Sequence, residues 1–127
     1  MAHPLILLAA LNGLLVVIIG AFMAHALKPI MATELIDTFE TGVLYHMLHT
    51  IALFGISILS LHFPGERLLK LSAYSFFLGI IFFSGSLYFL ALTEIRGIGI
   101  ITPIGGLFFL NGWGMLCLFG SKSSSQI

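Results

Sequence analysis

The chain has 127 residues, of which 59% are hydrophobic and only 8% charged, with a mean hydropathy of +1.15. Soluble domains carry about a quarter charged residues, so lipid must replace water around much of this surface. Five Lys and Arg balance five Asp and Glu, which excludes a nucleic-acid-binding basic patch, and the lone Cys117 excludes an internal disulfide.

A membrane-crossing helix needs about 20 predominantly apolar residues. Four segments qualify, at about 5–27, 41–63, 68–93 and 98–119. The expected fold class is therefore all-α: one domain over residues 1–127, an integral bundle of four transmembrane helices in the lipid bilayer. Lys28-Pro29 closes the first segment, because proline removes a backbone donor and restricts the residue before it. Ala24-His25-Ala26 imitates a signal-peptide cleavage site. However, no Lys or Arg precedes the apolar run, and the run is longer than a signal core. A retained helix is expected.

Between the first two segments, Leu35, Ile36 and Phe39 interleave with Glu34, Asp37 and Glu40. That spacing suits a short interfacial amphipathic helix leading into the second span; a solvated acidic loop is the alternative. Pro64-Gly65-Glu66-Arg67 then turns the chain into the third segment, and Glu94-Ile95-Arg96-Gly97 into the fourth. Ser121 to Ser125 form a polar tail.

The second segment carries the unusual chemistry. At about 100° per residue, Gly42, His46, His49, Leu53, Ser57 and Ser60 share one helical arc. Ionisable side chains within a membrane are costly, face the bundle interior and often mark function. His46 and His49 lie one turn apart and can present two imidazoles to one metal or one bound group. His25, near the end of the first helix, reaches the same level if those helices are neighbours. Two histidines alone do not make a metal site, which needs about four ligands, so metal and cofactor stay open. Both rings being neutral and hydrogen-bonded within the bundle is the structural alternative.

The remaining small and polar residues suit helix packing, since membrane helices associate through small residues and interhelical hydrogen bonds. The expected seams use Ala9, Gly13, Gly20 and Ala24 in the first helix, with Asn12 at the margin. Gly42 belongs to the second, Ser72, Ser75, Gly79 and Ser86 to the third, and Gly105 and Gly112 to the fourth. Phe82 and Phe83 are expected to fill the space beside the third helix's small residues. Asn111 is assigned an interhelical hydrogen bond or an oligomer contact, and Cys117 packing. Tyr45 and Tyr88 are placed near one membrane face, Tyr74 and Trp113 nearer the other, as interfacial belts, and Tyr74 and Tyr88 are expected to face lipid. Thr41-Gly-Val-Leu-Tyr45 and Ser84-Gly-Ser-Leu-Tyr88 echo each other and should lie at one level on antiparallel helices. Arg67, Lys70 and Lys122 on one side, against Lys28 and Arg96 on the other, put both termini in the cytoplasm.

Gly20-Ala-Phe-Met-Ala-His-Ala-Leu-Lys28, Phe39-Glu-Thr-Gly-Val-Leu-Tyr-His-Met-Leu-His49, Phe83-Ser-Gly-Ser-Leu-Tyr-Phe-Leu-Ala-Leu-Thr93 and Ile101-Thr-Pro-Ile-Gly-Gly106 with Gly112-Trp113 together resemble the domain-of-unknown-function 423 family. These are small four-helix, UPF0382-type membrane proteins with a mitochondrial branch. The resemblance covers nearly the whole chain and implies a bacterial inner-membrane protein, with no biochemical activity attached. The family pattern includes His25, Gly42, Tyr45, His49, Gly85 to Tyr88 and Pro103 to Gly106. It usually has glycine at the place of Met23 and often glutamine at the place of His46. This favours His49 with His25 over the His46–His49 pair.

The leading functional expectation is a non-enzymatic protein binding a small or lipidic ligand, or a partner, in a polar pocket near one leaflet. His25, Tyr45, His46, His49 and Ser86 would line it. The alternatives are a homo-oligomeric assembly protein with structural histidines, its glycine seams driving association, and a metal- or haem-dependent membrane enzyme.

Overall fold

Pro4 opens the first helix, where its missing N–H would have no helical partner anyway. The computed structural model describes residues 3–123; the end of the polar tail lies outside that range. Helix α1 runs Pro4–Leu27, regular through Phe22 and widened into a π-helical turn over Met23–Leu27. Helix α2 is one unbroken helix, Thr33–His62. Gly65, with φ at +81, makes the turn that follows. The Glu66 carboxylate accepts the Leu68 N–H at 3.2 Å and caps α3, Arg67–Thr93. A second π turn interrupts α3 at Ile80–Ser84, and Glu94, in the left-handed region at φ 58, ends it. Helix α4, Arg96–Lys122, begins with a tight 3-10 turn over Arg96–Ile100. Each of the four is long and apolar enough to span a membrane.

The amphipathic stretch before the second span is not a separate interfacial helix. Thr33 to Glu40 are the first turns of α2, which at about 1.5 Å per residue is about 45 Å long and overruns a hydrocarbon core of about 30 Å. Ile36 and Phe39 are buried with Met23, Leu27 and Ala91, so the apolar side of this stretch faces protein. Lys28 and Glu40 pair across the corner at 3.5 Å, both well exposed.

Helices α2 and α3 form the middle of the bundle; α1 packs chiefly on α2 and α4 chiefly on α3. The α3–α4 seam is built by exchange of glycine and phenylalanine. Phe109 covers Gly79, Phe76 covers Gly112, and the Phe83 backbone lies against Gly105. Read along the two helices, these pairs give an antiparallel register in which each glycine receives the other helix's bulk. The gaps beside α3's small residues are thus filled largely from α4, rather than by Phe82 and Phe83 as expected. Hydrogen bonds fasten the same seam. Ser72 donates to the Gly112 carbonyl at 2.8 Å, Asn111 to Ser75 at 2.7 Å, and Ser86 pairs with Thr102 at 2.6 Å.

The two sequence echoes pack on each other. Gly42 lies under the Tyr88 ring and beside Leu87, and Ser84 donates to the Gly42 carbonyl at 2.7 Å. In α1 the expected seam is rotated. Its buried line is Ala9, Asn12, Val16, Met23 and Leu27. Gly13 and Gly20 are half-buried against Thr50 and Val43, and Ala24 is exposed. Asn12, placed at the margin from the sequence, is at the centre, because it bonds across to α2. The buried line passes through Met23, which leaves Ala24 on the exposed side. Gly20 and Gly112 each face a neighbour within the chain, Val43 and Phe76 respectively. Cys117 is exposed rather than packed.

Candidate functional site

The polar stripe of α2 is buried as the periodicity requires: Gly42, His46, His49, Leu53 and Ser57 all lie inside. His46 is 1% exposed and His49 2%, and each ring nitrogen has a partner.

Asn12 sets the orientation of His46. Its amide Nδ2 donates to the Leu8 carbonyl at 2.9 Å, which turns its Oδ1 toward α2. His46 Nε2–H donates to that oxygen at 3.3 Å. In the neutral ring Nδ1 is then an acceptor, and it accepts a hydrogen bond from the Tyr88 hydroxyl at 2.9 Å. One chain of hydrogen bonds thus ties α1, α2 and α3 together. His49 is the opposite tautomer. Its Nδ1–H donates to the Tyr45 carbonyl at 2.8 Å, while Nε2 accepts the Trp113 indole N–H at 3.1 Å. An indole only donates, so this bond requires a lone pair on Nε2 and a neutral ring.

Beside His49 the protein is hollow. A groove of about 440 Å³ runs between α2, α3 and α4. Its floor is aromatic: the His49 ring stacks on Phe109 at 3.6 Å with 7° between planes, and Tyr45 lies 4.4 Å from Phe83. Trp113, Pro103 and Gly106 continue the wall, and Leu48, Leu107 and Leu110 form the exposed rim. Along α4, Pro103 is about 12 Å from Arg96, allowing about 2.0 Å per residue in the 3-10 turn, and Trp113 about 14 Å from Lys122 at about 1.5 Å per residue. The groove therefore opens sideways near the middle of the span, deeper than the leaflet-level pocket the sequence suggested.

Of the sequence-derived candidates, Tyr45 and His49 line the groove. His46 sits behind it in the buried chain. His25 is exposed on the π turn of α1 and makes none of these hydrogen bonds, so pairing it with His49 is not supported. Ser86 belongs to the α3–α4 seam. Tyr88 and Trp113 were assigned to lipid and interface, yet both donate inward to histidines. For Tyr88 the cause is the π turn at Ile80–Ser84, which breaks the regular helical phase used to place it. Asn12, Phe109 and Trp113 were missed as site residues. The available signal for Asn12 was an amide in the middle of an otherwise apolar helix.

With both nitrogens of each imidazole engaged, neither ring offers a lone pair to a metal or to haem iron. Among the described residues, no three His, Cys, Asp or Glu side chains gather around one position. The donor set does not fit a bound metal.

A family model described as a protein of unknown function, DUF423, matches residues 19–106. The chain belongs to the DUF423 family. The matched span includes Tyr45, His46, His49 and Tyr88, and stops before Phe109 and Trp113. The UPF0382 membrane protein YwdK of Bacillus subtilis (strain 168) is 39% identical over 92% of this chain and 95% of its own length. A UPF0382 membrane protein of Haemophilus influenzae (strain Rd) is 40% identical over 98% and 99%. The UPF0382 inner membrane protein YgdD of Escherichia coli (strain K12) is 36% identical over 88% and 85%. No solved structure matches. Like these relatives the chain is a membrane protein, multi-pass by its four spanning helices, and the DUF423 family carries no established activity.

Proposed function

We propose that this DUF423 protein is a non-enzymatic membrane protein that binds a wholly lipid-soluble ligand in the lateral groove of α2, α3 and α4. The observation that carries this is the groove itself, an aromatic floor opened sideways toward the bilayer at mid-span. Its depth selects the ligand class. A charged headgroup there would have to leave water for hydrocarbon at a cost of several kcal/mol, whereas a neutral ring or an apolar chain enters freely. Tyr45 and Trp113 supply ring faces for such a molecule, and Leu107 and Leu110 supply an apolar rim.

Gly106 gives a clean test. A Cβ there meets only the Phe83 ring, at 4.0 Å, so Gly106→Trp should fill the groove without disturbing a seam. The protein is purified in mild detergent and its bound lipids are identified by mass spectrometry. A neutral lipid retained by the wild type and lost from Gly106→Trp, at equal thermal stability, supports the reading. Equal retention by both proteins, or none by either, overturns it.

A second reading, a protein whose histidines serve assembly of its own bundle, is favoured by one observation: no buried side-chain nitrogen or oxygen among the described residues lacks a hydrogen bond. Under that reading the groove is empty of specific ligand, and the same experiment separates the two. Homo-oligomerisation remains open to native mass spectrometry; the glycines expected to drive it are occupied within the chain.

A further inference from the structure

We propose that the turn joining α2 to α3 is a binding site for the headgroup of an anionic phospholipid, separate from the mid-span groove. Two adjoining hollows, of about 370 and 500 Å³, share Gly65, Lys70 and Tyr74. Arg67 lines the second, and Leu5 of α1 and Phe63, just past the end of α2, give the first an apolar wall.

The charge on this side of the bundle has one sign to offer. Arg67, Lys70 and Lys122 stand here with a single acid, Glu66, while Glu34, Asp37, Glu40 and Glu94 all lie on the other side with Lys28 and Arg96. Three cations against one acid face two against four. Glu66 is also a wall residue of the first hollow, and its carboxylate is turned back to accept the Leu68 N–H. Neither Arg67 nor Lys70 takes part in an ion pair among the described residues. On the opposite face, by contrast, Lys28 has Glu40.

Chemistry and position then select the occupant. Two unpaired cations one turn apart on a helix match a phosphodiester. Tyr74 lies one further turn into the membrane and is exposed, with its apolar body against the hollow, as interfacial aromatics are placed at headgroup level. The apolar walls below match acyl chains. Clustered Lys and Arg beside a transmembrane helix attract anionic lipid by about a factor of five each. A free phosphate would use the cations and ignore the walls; a phospholipid uses both.

The test uses the full chain in lipid nanodiscs of mixed zwitterionic and anionic phospholipid, ejected into a native mass spectrometer. The wild type is expected to retain phosphatidylglycerol over phosphatidylcholine. The double variant Arg67→Gln, Lys70→Gln should lose that preference by about thirtyfold. The control Lys28→Gln, Arg96→Gln removes the same charge from the other face and should keep it. Equal loss in both double variants would mean that only net charge matters and would overturn the site. Displacement of the lipid by millimolar inorganic phosphate would reassign it to a free anion. Both side chains are exposed and outside the seams, so the variants should fold; a Tyr74→Ala variant, which leaves the cations in place, should weaken retention by a smaller factor if the lipid, rather than a bare ion, is bound.

Discussion

His46 connects three helices through two hydrogen bonds, and its replacement separates shape from chemistry. Glutamine has an amide N–H for Asn12 Oδ1 and a carbonyl for the Tyr88 hydroxyl, the same donor–acceptor order as the imidazole. Leucine has neither, and would leave both partners buried and unpaired. His46→Gln is expected to change stability by less than about 0.5 kcal/mol. His46→Leu should cost about 1–3 kcal/mol, from unsatisfied groups and from two interhelical bonds at the usual membrane values. Reversible unfolding in bicelles by SDS titration measures both; equal stability of the two variants would show that the chain contributes packing alone. From the sequence, the α2 stripe was legible because a regular helix keeps its phase, and His46 and His49 fell on it. Their partners were not, because Asn12, Tyr88 and Trp113 come from three other helices, whose rotations depend on packing and, in α3, on a π turn that leaves no pattern in hydropathy.

The seams show the same limit at the scale of helices. Glycine at positions 42, 79, 105 and 112 marked buried faces correctly, since each lies against a neighbour's ring or backbone. What the pattern could not distinguish is which glycines are required. At Gly105 an added Cβ would run into the Phe83 backbone, and backbone cannot move aside as a side-chain tip can. At Gly13 the nearest atom is the Thr50 methyl, at an ordinary 3.7 Å. Gly105→Ala is therefore expected to weaken the α3–α4 pair by about 1–3 kcal/mol, the range for an overpacked core, and Gly13→Ala to be neutral or slightly stabilising through helix propensity. Thermal melts followed by fluorescence-detected size exclusion should show a lower midpoint for the first and not the second. The four spans and their turns were readable because length and composition decide them. That Thr33 to Glu40 lead into the second span was readable; that their apolar side is packed in protein rather than laid in the interface was not, because Ile36 and Phe39 bury themselves on α1 and α3, partners invisible in the local pattern.

For the whole molecule the remaining question is which face meets the cytoplasm. Short loops rich in Lys and Arg stay inside, and the face bearing Arg67, Lys70 and Lys122 has three such residues against two. The structure adds that Lys28, on the other face, is paired with Glu40, and that the acids gather on that face too. The Lys and Arg count predicts that the α2–α3 turn, and with it the two ends of the bundle, faces the cytoplasm, where an anionic inner leaflet would attract the same two cations. The topology is open to direct measurement. Cys117 is exposed and is first changed to serine. Single cysteines then replace Pro64 in the α2–α3 turn or Gly97 in the α3–α4 turn, both exposed. A membrane-impermeant maleimide added to intact cells should label Gly97→Cys at once and Pro64→Cys only after permeabilisation. The reverse pattern would place the termini outside. It would also point the phospholipid cleft at the opposite leaflet, whose anionic lipid content would then govern its occupancy.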